Sequence, residues 1–159
     1  MKIKKIIVPL DGSTLAEMAV PAAVELAREH GAVVVLVRAA EAAWITPDVV
    51  EAEVMVVREA EEYLEKVAAR LRAEGAPTVE TAVWYGTAAS SIVEAVEAQR
   101  ADLIVMTSHG RSGIGRLILG SVAESVLRGT SVPILLLRAA NATVLPPVGR
   151  TRQVEPTGS

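Results

Sequence analysis

Short β-branched runs recur along this chain, separated by longer stretches of helical periodicity, and that alternation restricts the fold more than any single residue does. The runs Ile3 to Val8, Ala32 to Val37, Thr78 to Trp84, Leu103 to Met106 and Val132 to Leu137 predict five strands. Helical patterns fall between them at roughly 14 to 30, 47 to 74, 87 to 99 and 117 to 128. Strands that alternate with helices make βαβ units with right-handed crossovers and a parallel sheet. Several of the runs are apolar at successive positions, as strands covered by helices on both faces must be. The expected fold is therefore α/β: a single-domain, doubly wound, five-stranded parallel sheet with helices on both faces.

The first helix carries an apolar stripe of Leu15, Met18, Ala19, Ala22 and Leu26. It is expected to start at a capping box, Thr14 with Glu17, to kink at Pro21 and to close on Gly31. The second helix bears Glu51, Glu59, Glu62 and Glu65, which a solvated outer face explains. The folded domain is expected over residues 1–138. From Ala139 the tail ANATVLPPVGRTRQVEPTGS loses periodicity, so residues 139–159 are read as irregular.

Composition removes several classes of function. No apolar run approaches the roughly 20 residues that span a bilayer. In MKIKKIIVPLDGS, Pro9, Asp11 and Gly12 interrupt any signal-peptide core, so a cytoplasmic protein without membrane attachment is expected. Without cysteine there is no disulfide framework, thiolate metal site or cysteine nucleophile. A net charge of −3 argues against a nucleic-acid surface, and two tryptophans and two tyrosines with no phenylalanine argue against base-stacking platforms.

Ligands of an open parallel sheet bind at the carboxyl ends of the strands. Three segments fall there. VPLDGS places Asp11 and Gly12 after the first strand, either as a turn or capping residue or as a carboxylate for ribose hydroxyls. Arg38, Ala39, Ala40 and Glu41 follow the second strand. TSHGRSGIGRLILGS follows the fourth, with Gly110, Gly113, Gly115 and Gly120-Ser121 to admit a phosphate and Arg111 and Arg116 to supply charge. The alternative is a mobile connection whose glycines serve only turns.

Familiar nucleotide and hydrolase motifs fail on the residues. No lysine follows Lys66, so there is no Walker loop, and Gly113 and Gly115 lack the third glycine of a dinucleotide fingerprint. The third strand ends in Trp84-Tyr85-Gly86, without the aspartate a phospho-receiver needs. Gly110-Arg111-Ser112-Gly113 misses the GxSxG elbow by one residue. His30 falls at a helix end; His109, in the loop, suits a structural or phosphate-binding role better than general-base catalysis.

The segments KKIIVPLDGS, YGTAASSIVEAVEAQRADLIVMTSHGRSG and LILGSVAESVLRGTSVPILLLR together resemble the universal stress protein family over residues 3 to 138. The resemblance implies strand order 3-2-1-4-5 and a homodimer joined through the last strand, Val132 to Leu137. Pro133 is tolerable there because an edge strand need not donate at every position. The ATP-binding branch of the family carries G-x2-G-x9-G-[ST]. Here Gly110 and Gly120-Ser121 match, and Thr107 replaces the first glycine, adding a Cβ and a methyl near the phosphates while offering a hydroxyl. By that likeness Pro9 and Asp11 would surround the adenosine and the Ala39 backbone would meet the adenine edge. Thr107, Gly110, Gly120, Ser121 and Val122 would line the phosphates. Mg²⁺ would be held mainly by phosphate oxygens, with no protein metal ligand. The expected function is an ATP-binding, nucleotide-dependent regulatory or protective module of the stress response, and not an enzyme. The alternatives are a slow ATPase or phosphotransferase, and a nucleotide-free stress protein that acts through protein contacts.

Overall fold

The computed structural model describes residues 1–41, 49–108 and 119–138. Five parallel strands form one sheet: β1 (Lys5–Pro9), β2 (Val33–Ala40), β3 (Val79–Tyr85), β4 (Leu103–Thr107) and β5 (Ile134–Leu137), in the order β3-β2-β1-β4-β5. Every pairing is parallel, with Ile7 opposite Val35 and Ile104, Val37 opposite Ala82, and Met106 opposite Leu136. The helices are α1 (Thr14–Glu17), α2 (Val20–His30), α3 (Val49–Ala73), α4 (Ala88–Gln99) and α5 (Ser121–Gly129).

Side chains alternate across a strand, so the central strands feed two separate cores. Ile6, Val8, Val34, Leu36 and Val105 pack against Ala23, Val24 and Ala27 of α2 and Leu64, Val67 and Ala68 of α3. Ile7, Val35, Val37, Ile104 and Met106 pack against Ile92, Ala95 and Val96 of α4 and Ala123 and Val126 of α5. The central side chains Ile6, Ile7, Leu36 and Ile104 are fully buried. Burial at about 1.5 to 3 kcal/mol for each large aliphatic side chain makes these two layers the main source of stability.

The start of the chain's helical region differs from the expectation in three ways. Ser13, not Thr14, is the cap: its side chain accepts from the Ala16 amide at 3.1 Å, and Glu17 faces Tyr63 and Arg70 instead of closing a box. The predicted single helix is two, because Pro21 sits in the first turn of α2, where a missing N–H costs nothing. The buried face runs through Ala16, Ala19, Val20, Ala23, Val24 and Ala27. Small alanines let the helix lie close to the sheet, so Met18 is exposed and Leu15, Ala22 and Leu26 flank the contact. Gly31 closes α2 at φ 65, as expected.

The acidic positions Glu51, Glu59, Glu62 and Glu65 are exposed on α3. Among the described residues no helix is long and apolar enough to cross a membrane. Residues 47 and 48, the loop residues 109–118 and the tail 139–159 lie outside the described residues.

Candidate functional site

A cleft of about 800 Å³ opens at the carboxyl edge of the sheet, bounded by the ends of β1, β2 and β4 and the start of α5. Its first wall is the β1–α1 turn. The Leu10 amide continues the ladder by donating to the Val37 carbonyl at 2.8 Å, which turns the next residues out of the sheet. Gly12 adopts φ 85, a left-handed conformation that a side chain would strain. The Asp11 carboxylate accepts from the Ser13 amide at 2.9 Å. Asp11 therefore fixes the turn and lines the cleft at once.

The second wall is the end of β2, which runs three residues further than predicted. Arg38, Ala39 and Ala40 pair in register with Val83, Trp84 and Tyr85, so they are strand and not the expected loop. The Gly86 amide donates to the Ala40 carbonyl at 3.0 Å and closes the pairing. Alternation turns Arg38 toward α3. Its guanidinium lies 4.9 Å from the Tyr63 ring centre and donates to Glu59 at 3.2 Å.

The third wall is built from backbone. Met106, Thr107 and Ser108 are buried at the end of β4, and the Ser108 amide donates to the Leu137 carbonyl at 2.8 Å. The Gly120 amide donates to the Ser108 carbonyl at 2.9 Å, which fixes where α5 begins relative to β4. Gly120 is the N-cap of α5, extended at φ −61 and ψ 149, and offers no side-chain cap. The first-turn amides of α5 have no intrahelical acceptor, and they carry the positive end of the helix dipole. Ser121, Val122 and Ala123 of that turn line the cleft.

Seven of the eight residues predicted to meet nucleotide, Pro9, Asp11, Ala39, Thr107, Gly120, Ser121 and Val122, line this one cleft. Gly110 lies outside the described residues, as do His109, Arg111, Gly113, Gly115 and Arg116. Thr107 is 7% exposed, so its added Cβ and methyl are absorbed at the strand end. His30 sits exposed where α2 ends and the turn into β2 begins, at the opposite edge of the sheet. The sequence reading did not select Arg38, Glu59, Ser108 or the apolar floor of Leu10, Ile92 and Met106. A charged residue ending an apolar strand was the available signal for Arg38.

Behind Arg38 the polar chain continues. The Tyr63 hydroxyl donates to Glu17 at 2.9 Å, and Arg70 donates to the other oxygen of Glu17 at 2.7 Å. Burial first, then the Glu17 carboxylate, pushes the Tyr63 phenol far above its usual range. The hydrogen bond to Glu17 raises Arg70. Among the described residues no group of three or more His, Cys, Asp or Glu side chains is placed to hold a metal ion. The Asp11 carboxylate at one end of the cleft suits hydroxyl donors, and the α5 amides at the other suit an anion.

The profile of the universal stress protein family matches residues 2–138. The universal stress protein MJ0531 of Methanocaldococcus jannaschii is 32% identical over 145 residues, spanning 85% of this chain and 82% of that protein. A universal stress protein of Thermus aquaticus is 33% identical over 138 residues, spanning 85% of this chain and 98% of that one. Among solved structures, MJ0577 of M. jannaschii aligns with a TM-score of 0.75 at 27% identity, covering 89% of this chain and 99% of its own. Three other solved universal stress proteins share the fold and hold adenine nucleotides. One is a complex with cAMP (23% identity, TM-score 0.67, covering 86% and 98%). One, from Arabidopsis thaliana, has AMP bound (16%, 0.62, 85% and 91%), and one, from Archaeoglobus fulgidus, is a complex with dAMP (24%, 0.64, 86% and 98%).

Proposed function

The chain belongs to the universal stress protein family, and from that premise we propose that it binds an adenine nucleotide, ATP with Mg²⁺ foremost, in the cleft at the carboxyl edge of its sheet. Binding makes it a nucleotide-dependent regulatory or protective module that acts in the cytoplasm. The observation that carries this reading is the convergence on one cleft of Asp11, the β2 end at Ala39 and the uncapped α5 start at Gly120-Ser121. The family members solved with cAMP, AMP and dAMP support it. Asp11 takes the ribose hydroxyls, and the α5 amides and the Ser121 hydroxyl take phosphate oxygens. A divalent ion travels with the phosphates, held by their oxygens and water, since the described residues bring no carboxylate cage to it.

Calorimetry with Mg-ATP, joined to mass spectrometry of the ligand released from purified protein, tests the reading. Saturable binding that an Asp11→Ala, Gly120→Val double variant loses is expected; absence of binding at millimolar nucleotide refutes it and leaves a stress protein acting through protein contacts alone. The protein is proposed as a binder and not an enzyme, so steady turnover above about 1 s⁻¹ would favour the ATPase reading instead.

The same proposal includes a homodimer through β5. Among the described residues that strand pairs only with β4 and ends the order, and its Leu135 and Leu136 are 37% and 38% exposed. An apolar edge strand of this kind is a template for pairing with a second chain. Sedimentation of wild type and Leu136→Lys checks it: a dimer that the lysine dissociates is expected, and a wild-type monomer at micromolar concentration overturns it.

A further inference from the structure

The cleft holds one cation among its described residues, Arg38, against the carboxylates of Asp11, Glu41 and Glu59. Its place follows from the strand. Position 38 shares a face with Val34 and Leu36, so the side chain lies over α3 and is only 12% exposed. Tyr63 packs on the guanidinium at 4.9 Å, and a Cβ placed on Gly12 would stand 3.6 to 3.7 Å from three of its atoms. Gly12 adjoins Asp11, so the guanidinium lies at the end of the cleft where the proposed function puts the sugar.

Among the described residues its hydrogen bonding is incomplete. A guanidinium offers five N–H donors in a fork that fits carboxylate or phosphate two at a time. Among the described residues one of these is used, by Glu59 at 3.2 Å, and the Glu59 side chain is 70% exposed. A carboxylate that exposed can turn into water at little cost. The guanidinium is thus fixed by stacking while its charge is only loosely matched. Neutral ribose hydroxyls would use neither the fork nor the charge.

We propose that Arg38 is a ligand-contacting, specificity-determining residue that accepts a second phosphate, carried on the 2′ or 3′ oxygen of the ribose. This inference rests on the nucleotide reading of the cleft. The site then prefers an adenosine bisphosphate over the 5′-monophosphate, and the arginine offsets the repulsion that the three carboxylates would otherwise exert on such an anion.

Titration calorimetry on the full chain, with AMP, adenosine 2′,5′-bisphosphate and adenosine 3′,5′-bisphosphate, tests it. Wild type is expected to bind one bisphosphate isomer about tenfold or more tighter than AMP, as a charge-assisted bidentate contact supplies. Arg38→Met is expected to abolish or invert that preference, and Arg38→Lys to keep part of it. Glu59→Gln, which loosens the hold on the guanidinium, is expected to raise bisphosphate affinity relative to AMP. Equal wild-type affinity for AMP and both bisphosphates overturns the inference while AMP binding keeps the nucleotide reading. A preference that survives Arg38→Met in a variant with wild-type melting temperature also overturns it. Failure of all three ligands to bind a wild type that binds Mg-ATP overturns this inference alone, and failure with Mg-ATP as well overturns the nucleotide reading with it.

Discussion

The two edges of the sheet are finished differently. At the amino edge the chain closes on itself. The Asp102 carboxylate accepts from the Lys4 and Lys5 amides at 2.8 and 3.0 Å, and the Asp102 amide returns a bond to the Lys5 carbonyl at 2.9 Å. Lys5 reaches Gln99 at 3.1 Å and Glu80 at 3.5 Å. Arg100, in a left-handed turn at φ 50, lets the Ala101 amide bond the Val96 carbonyl at 3.0 Å. At the carboxyl edge the corresponding positions are small or uncapped. Gly12 and Ala39 sit at the strand ends, Thr87 and Gly120 begin α4 and α5 without side-chain caps, and a cleft remains. Side chains satisfy the backbone at one edge, whereas at the other α4 and α5 begin without a side-chain cap. An open parallel sheet puts the positive helix ends on the edge left open, which is where an anion is stabilised.

The contrast is broken most sharply by filling the open edge. Gly120→Val places a branched side chain at the cap of α5, and Asp11→Ala removes the carboxylate proposed to meet the ribose. Together they are expected to weaken nucleotide binding at least a hundredfold, about 2.7 kcal/mol, read by calorimetry. Their melting temperatures should move less than their affinities, because the glycine backbone at position 120 is extended at φ −61 and strains no side chain.

The reverse outcome is expected at the closed edge. Asp102→Ala strands the Lys4 and Lys5 amides where β1 begins, and the loss of two charge-assisted bonds at a partly exposed site destabilises by about 2 kcal/mol. Urea denaturation measures it, and nucleotide affinity should not change. An Asp102 variant that lost affinity as much as stability would show that the two edges are coupled through β1 and β4.

Ser13 tests the border between the two behaviours, since it is a genuine side-chain cap standing at the open edge. Ser13→Ala is expected to cost about 1 kcal/mol of stability through loss of the Ala16 contact. Affinity should fall only to the extent that the Asp11 turn loosens, which a comparison of Kd with denaturation midpoint resolves.

The closed scaffold was easier to read from the sequence than the open site. Short, continuously apolar runs located all five strands, because buried central strands such as VVVLV and LIVM leave little ambiguity, and the family resemblance supplied their order. The misses occurred where tertiary contacts decide. Ala39 and Ala40 have poor strand propensity, yet pairing with Trp84 and Tyr85 carries β2 on to the cleft. Ser13 and Thr14 are equivalent as capping types, and packing of Ala16 and Ala19 on the sheet selects the earlier one. Asp11 was visible because its chemistry is local to a turn. Arg38 was not selected, because its meaning depends on Glu59 and Tyr63, which only the folding of α3 over β2 brings to it.

The smallest expected effect concerns the support behind Arg38. Tyr63 holds the guanidinium with its ring and Glu17 with its hydroxyl, and the neutral phenol is favoured in the folded chain by burial and then by that carboxylate. The ordinary phenol value is 10.0, and the folded value is raised above it. The unfolded chain therefore loses this proton first as pH rises. It follows that the contribution of Tyr63 to stability is fully present below about pH 10 and declines above it as alkali draws the equilibrium toward the ionised, unfolded form. Denaturation midpoints between pH 8 and 11 should fall at the alkaline end in wild type and fall less in Tyr63→Phe, which keeps the ring under Arg38 but has no proton to lose. At neutral pH the same variant should cost only the hydrogen bond to Glu17, about 1 kcal/mol. Equal alkaline slopes in the two proteins would mean that Tyr63 ionises as freely folded as unfolded, and that the ring alone supports the arginine at the open edge.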